Sequence, residues 1–344
     1  MERHQTNRAG AILAAALLML TALPLRAAED LVTVNVENFP HAETDMQIGR
    51  MLKSTGGVNQ WDHKRSPTPL DQQNVIRMNR DTIYSFAVVD ISKGATITMP
   101  EAGRRYLSTM VVNNDGYMNK VYLGGGTYEL TMEEFGTPYV VLAVRTLVDA
   151  SDAEDVKAAN ALQDKMKIEA ASATPFPMPN YDMDSYNATY KPLLELSKGV
   201  PDTREMFGKK EEVDPVRFIL GSAFGWGGLP AEDAYYLNVD PKLPIGEYEI
   251  TVKDVPVDAF WSVSVYNKDG YYEKNDFNAY SVNNISGTPN PDGSFTIHLG
   301  GCADKRVNCV PLTEGWNYIV RLYQPRKEIL DGEWTFPQPQ RVTQ

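Results

Sequence analysis

Cysteine and histidine are scarce in this chain, with two of the first and four of the second in 344 residues. Beyond the N-terminal stretch only His41, His63 and His298 remain. No two of them stand four residues apart, so no metal site is expected. A Gly-x-Ser-x-Gly elbow is missing, which removes support for a serine hydrolase of the usual α/β type. Gly225-Trp226-Gly227-Gly228 follows a helix and lacks phosphate-loop spacing, so it reads as a C-cap and turn. No cofactor is implied. Positive charge is in deficit, with 33 Lys and Arg against 45 Asp and Glu and a net charge of −12. Phosphate backbones need clustered cations, so nucleic acid is excluded as a partner. Past the first 20 residues no apolar run approaches membrane-spanning length, and an integral membrane protein is not expected.

What is present begins with an export pattern. Arg3 and Arg8 precede an apolar run from Ala11 to Leu20, Pro24 interrupts it, and Ala27 and Ala28 offer small residues for cleavage. Residues 1–28 therefore read as a signal peptide and the mature protein, periplasmic or secreted, begins at Ala28 or Glu29. Removing that segment takes away three basic residues and one acidic, deepening the net charge to −14. In an oxidising compartment Cys302 and Cys309, close together between two expected strands, are read as a disulfide.

Along the mature chain, Val32 to Phe39 reads as a lead-in strand, Ala42 to Lys53 as a helix ended by Gly56 and Gly57, and Trp61 to Leu70 as a polar loop. Alternating apolar segments over Ile83–Asp90, Ala95–Met99, Tyr106–Val112, Tyr117–Leu123, Thr127–Leu130 and Tyr139–Val148 predict strands. Helices are predicted over Asp152–Ala171, Asp182–Ser197 and Asp214–Phe224, with Pro215 at a first helical position. Tyr235 onward returns to strands, with turns at Asp269-Gly270 and Asp292-Gly293 like the one at Asp115-Gly116. The expected fold is mainly β with a helical segment (α+β): two antiparallel β-sandwich or jelly-roll-like domains, 29–150 and 235–344, joined by helices over 151–234.

The two β regions resemble each other. Gly94 to Met99 and Tyr106 to Tyr117 line up with Gly246 to Val252 and Phe260 to Tyr271, and Arg145 within its apolar strand lines up with Arg321. The strand entered at Arg77, Asn79, Arg80 and Asp81 suits water on neither face, so those charges arrive at the mouth of a buried sheet. Charges persist there only when paired or turned into a cavity. Candidate ligand contacts are Arg77, Asn79, Arg80, Asp81, Tyr84 and Arg145 around the first sheet, and Trp261, Tyr266, Arg321 and Tyr323 around the second. Structurally, Arg80 or Arg145 would bridge Asp81 or Asp115. Functionally, guanidinium groups would grip a carboxylate in a cleft, with Asp81 and Arg80 the catalytic candidates.

Asn79-Arg80-Asp81-Thr82-Ile83-Tyr84-Ser85 with Gly103-Arg104-Arg105-Tyr106 resembles the N-terminal bacterial domain of unknown function numbered 1254. Phe260 to Tyr266, Asp292-Gly293-Ser294 and Arg321-Leu322-Tyr323-Gln324-Pro325 resemble its C-terminal partner, numbered 1214. The resemblance implies two β-sandwich domains and no established catalytic residue. Where the partner domain often has Asn-Trp-Leu-Pro, this chain has Asn308-Cys309-Val310-Pro311. Two classes of function stay open: an exported protein binding a small molecule or glycan, or a metal-independent hydrolase or lyase using Asp81 with Arg80 or Arg145.

Overall fold

The computed structural model describes Met1 and residues 31–73 and 76–342. Apart from Met1, the stretch read as a signal peptide lies outside the described residues. Helix α1 (Phe39–Thr55) starts three residues before the expected position, because Pro40 suits the first helical turn, and Gly56 closes it at φ +80°. Of the expected lead-in strand only Val32 is paired, in a single bridge to Tyr181.

The N-terminal half continues through β1 (Asp62–His63), β2 (Thr82–Asp90), β3 (Ala95–Met99), β4 (Leu107–Asn113), β5 (Met118–Leu123) and β6 (Gly126–Leu130). A short helix α2 (Met132–Phe135) then leads into β7 (Tyr139–Leu147). The expected helix over Asp152–Ala171 divides into α3 (Ala153–Gln163) and β8 (Lys167–Ala170). Pairing of β8 with β3, Ala95 opposite Ala170, overrides the helical propensity of that stretch. One sheet has the order β1-β2-β7-β4-β5 and the other β6-β3-β8. They face each other across Ala87, Val89, Ile97, Val111, Leu142 and Val144. Each fully buried aliphatic chain there contributes about 1.5–3 kcal/mol.

Helices α4 (Met183–Ser197) and α5 (Pro215–Gly225) follow; Asp214 caps α5 by accepting from the Val216 and Arg217 amides. The C-terminal half is β9 (Ala234–Val239), β10 (Tyr248–Val252), β11 (Trp261–Tyr266), β12 (Ser281–Asn283), β13 (Phe295–Leu299), β14 (Cys309–Val310), β15 (Asn317–Tyr323), α6 (Lys327–Leu330) and β16 (Gln340–Arg341). Its sheets, β12-β11-β15-β9 and β14-β13-β10-β16, enclose Ile250, Val263, Ile297, Trp316, Val320 and Leu322. All pairings in the protein's sheets are antiparallel except β13 with β14. The architecture is mainly β, and among the described residues no helix is long and apolar enough to cross a membrane.

The halves repeat one another strand for strand. The order β2-β7-β4-β5 matches β9-β15-β11-β12, and β6-β3-β8 matches β13-β10-β16; β1 and β14 are additions. The hairpins agree in detail. Asn113 Oδ1 accepts from the Asp115 and Tyr117 amides, as Asn267 Oδ1 does from Asp269 and Tyr271. Gly116 and Gly270 take φ +90° and +85°, which glycine adopts without strain.

Candidate functional site

The outer faces of the two central sheets are turned toward each other. In the N-terminal half Arg145 of β7 lies between Tyr84 of β2 and Ser108 of β4; in the C-terminal half Arg321 of β15 lies between Tyr236 of β9 and Ser262 of β11. Each row is a tyrosine, an arginine and a serine in the same register. Behind each row stands an aspartate three residues before the tyrosine. Asp81 accepts from the Val148 amide through its carbonyl, and Asp233 accepts equivalently from the Gln324 amide. Tyr106 and Phe260, likewise equivalent, pack together with ring centroids 5.4 Å apart.

The two arginines are used differently. Arg321 is 3% exposed and donates to Ser264 Oγ at 2.9 Å, the Tyr266 hydroxyl at 2.8 Å and the carbonyls of Arg77 and Met78 at 2.8 and 3.3 Å. It ties the loop before β2 to the C-terminal sheet. Arg145 is 6% exposed and donates from Nη2 to the Gly227 carbonyl at 2.6 Å, while Nη1 has no partner within the protein. Its guanidinium lies 5.7 Å from the centre of the Tyr84 ring. Asp233 was not among the residues expected from sequence. Burial pushes its carboxyl up to about 6, with Glu232 adding repulsion and Arg145 opposing.

At the edge of this layer a cleft of about 500 Å³ opens between the halves, bordered by Arg80, Asp81, Tyr280, Ser281, Asn283, Arg306 and the disulfide. Asp81 is 2% exposed; its Oδ1 accepts from Ser281 Oγ at 3.0 Å and Asn283 Nδ2 at 3.3 Å, and Oδ2 is buried without a protein partner. Arg80 donates to the Thr68 carbonyl and lies 5.2 Å from the centre of the Tyr280 ring. The expected ion pair of Arg80 or Arg145 with Asp81 or Asp115 is not formed. Arg80 and Arg145 are taken up by carbonyls and rings, and Asp115 bonds His41 at 2.9 Å across to α1.

The remaining candidates divide. Asn79 donates to the Tyr323 hydroxyl at 2.9 Å and accepts from the Asp81 amide, so both belong to the layer. Tyr266 donates to the Met78 carbonyl, and Arg77 reaches Asn317 Oδ1 at 3.4 Å. Trp261 stands apart from the other candidates: it is on the inner face of β11, 3% exposed, edge-on to Phe295 and Phe336, because odd positions of that strand point into the core. The disulfide forms as expected, with Cα atoms 5.7 Å apart. Among the described residues no three metal-ligating side chains gather.

Fold and site together describe a duplicated, paired-sheet protein with a polar layer between its halves. Residues 58–135 match the family model described as "Protein of unknown function (DUF1254)" and residues 238–327 that described as "Protein of unknown function (DUF1214)"; the chain carries both, in that order. The VPA0106 protein of Vibrio parahaemolyticus is similar in structure, with a TM-score of 0.70 at 19% identity over 90% of this chain and 98% of that one. An uncharacterised protein from Burkholderia cenocepacia gives 0.54 at 17% identity, over 89% and 88% of the two chains. These likenesses concern the fold alone. No curated protein matches the sequence.

Proposed function

We propose that this is an exported binding protein whose ligand is a small neutral polyhydroxylated molecule, such as a sugar or short glycan, held in the cleft beside Asp81. The observation that carries this reading is the balance of the cleft wall. Arg80, Lys305 and Arg306 are offset by Asp81, Asp149 and Asp276, and hydroxyl and amide groups of Ser281, Ser286, Asn278 and Asn308 lie among them beside the rings of Phe277 and Tyr280. Such a wall gives no net attraction to an ion, and offers hydroxyl-rich ligands many hydrogen bonds and an apolar face. Arg80 does not offer the free guanidinium fork that gripping a carboxylate here requires, since one arm serves Thr68. Export is supported by the N-terminal pattern and by the disulfide, a bond that persists in oxidising compartments.

Thermal-shift and calorimetric screening of neutral oligosaccharides, with products followed by mass spectrometry, tests the reading. Stabilisation without turnover, weakened in Asp81→Asn, is expected. Turnover lost in a folded Asp81→Asn variant would replace it with the hydrolase or lyase, and no response to any sugar would overturn it. The intact mass of the exported protein is expected to begin at Ala28 or Glu29; a mass retaining Met1 would remove the export claim.

A further inference from the structure

We infer that Arg145 is the centre of a second site, within the layer between the halves, that takes a small monocarboxylate. The duplication supplies an internal control. Arg321, at the matching register position, meets four acceptors on neighbouring groups, whereas Arg145 meets one, the carbonyl that the Gly225-to-Gly228 turn brings to it. No described carboxylate lies within ion-pair distance of Arg145. A guanidinium taken from water without an anion is costly, so the fold holds an unmet demand for negative charge at this point.

The groups around Arg145 state what kind of anion meets it. Ser108 Oγ, directly across the strand pair, and the Tyr106 hydroxyl are both buried within reach of one another, and neither they nor Arg145 Nη1 meet any other protein group. The Arg145 Nη1 and this pair of hydroxyls thus stand at one place, and a carboxylate's two oxygens can accept from both. The ring of Tyr84, beside Arg145 in its row, and that of Tyr236, near Arg145 from the facing sheet, are only half-buried and give the ligand's short apolar end a surface to lie on. A large or multiply charged anion does not suit the position, since Arg145 is the one cation in its row and Asp233 is close enough to feel its charge. The site shares no residue with the cleft beside Asp81 and stands independently of the sugar reading.

The test titrates the full mature chain with acetate and propionate at fixed ionic strength, with acetamide and chloride as controls. Acetate and propionate are expected to raise the melting temperature and to bind by calorimetry, and the controls are not. Ser108→Ala and Tyr106→Phe, which each remove one hydroxyl, are expected to weaken acetate about tenfold, and Arg145→Met to abolish the response. Asp81→Asn is expected to leave it unchanged. An equal response to acetamide or chloride, or unchanged acetate affinity in both hydroxyl variants, overturns the proposal even if Arg145→Met fails to fold.

Discussion

At the scale of the residue, Arg321 and Arg80 were equally conspicuous in the sequence, and their surroundings separate them. Truncating Arg321 to alanine removes four hydrogen bonds and strands the Arg77 carbonyl and the Ser264 hydroxyl inside the layer, the Met78 carbonyl keeping its bond from Tyr266, and should cost about 3 kcal/mol in chemical denaturation. Arg80→Ala loses one carbonyl bond and one ring contact near the surface of a cleft, and should cost about 1 kcal/mol. Equal costs would show that the two share one role. Asp233 carries a second prediction. Its folded pKa, about 6, lies above the ordinary carboxyl value because burial disfavours the ion. The fold therefore binds this proton more tightly than the unfolded chain does. Its contribution to stability is complete below about pH 4 and is lost as pH rises through 6. Melting temperatures between pH 4 and 7 should fall less steeply in Asp233→Asn than in the parent; identical slopes would contradict this. Nothing local marks Asp233 in the sequence. It becomes visible only when β9 is aligned with β2, which places it opposite Asp81, and the unequal loops before those strands hide that match.

At the scale of the element, the legible features were those set by neighbours in sequence. The Asp-Gly hairpins, the proline-started α5 and the doubly buried β2 follow from turn chemistry and alternation alone. The stretch Asp152–Ala171 was misread because what makes β8 a strand is β3, some seventy residues earlier. The disulfide-closed turn between β13 and β14 was legible by spacing, yet its place on the cleft wall was not. Replacing both Cys302 and Cys309 by serine opens a small loop, and the chain-entropy model puts the loss at about 2.5 kcal/mol. Equilibrium unfolding of the double variant against the parent measures it. Because both cysteines border the cleft, sugar affinity should fall with it; a drop in stability with affinity untouched would place the ligand elsewhere.

At the scale of the whole molecule, the repeat was readable as sequence, but the surface along which its copies meet was not. Alternation says that Tyr84, Arg145, Ser262 and Arg321 share the outer faces of their sheets; it does not say that those faces cover each other. Only the assembled chain brings Phe260 and Tyr323 against Tyr106, and Leu229 and Phe207 over Met110 and Val141. The halves are also cross-tied, since the loop before β2 bonds the C-terminal hairpin through Arg77 and Gly270, while the N-terminal hairpin bonds the segment between α4 and α5 through Met118 and Gly208. A half alone would expose an apolar face and a buried arginine together, which no rearrangement of its own strands covers. The full chain should therefore unfold in one transition, with amides of β7 and β15 protected from hydrogen exchange to the same free energy. Residues 29–150 expressed alone should be insoluble or bind dyes that report exposed apolar surface. Two separated thermal transitions, or a soluble and cooperatively folded N-terminal half, would show instead that each sandwich is a self-sufficient unit and that the polar layer is a contact made after folding.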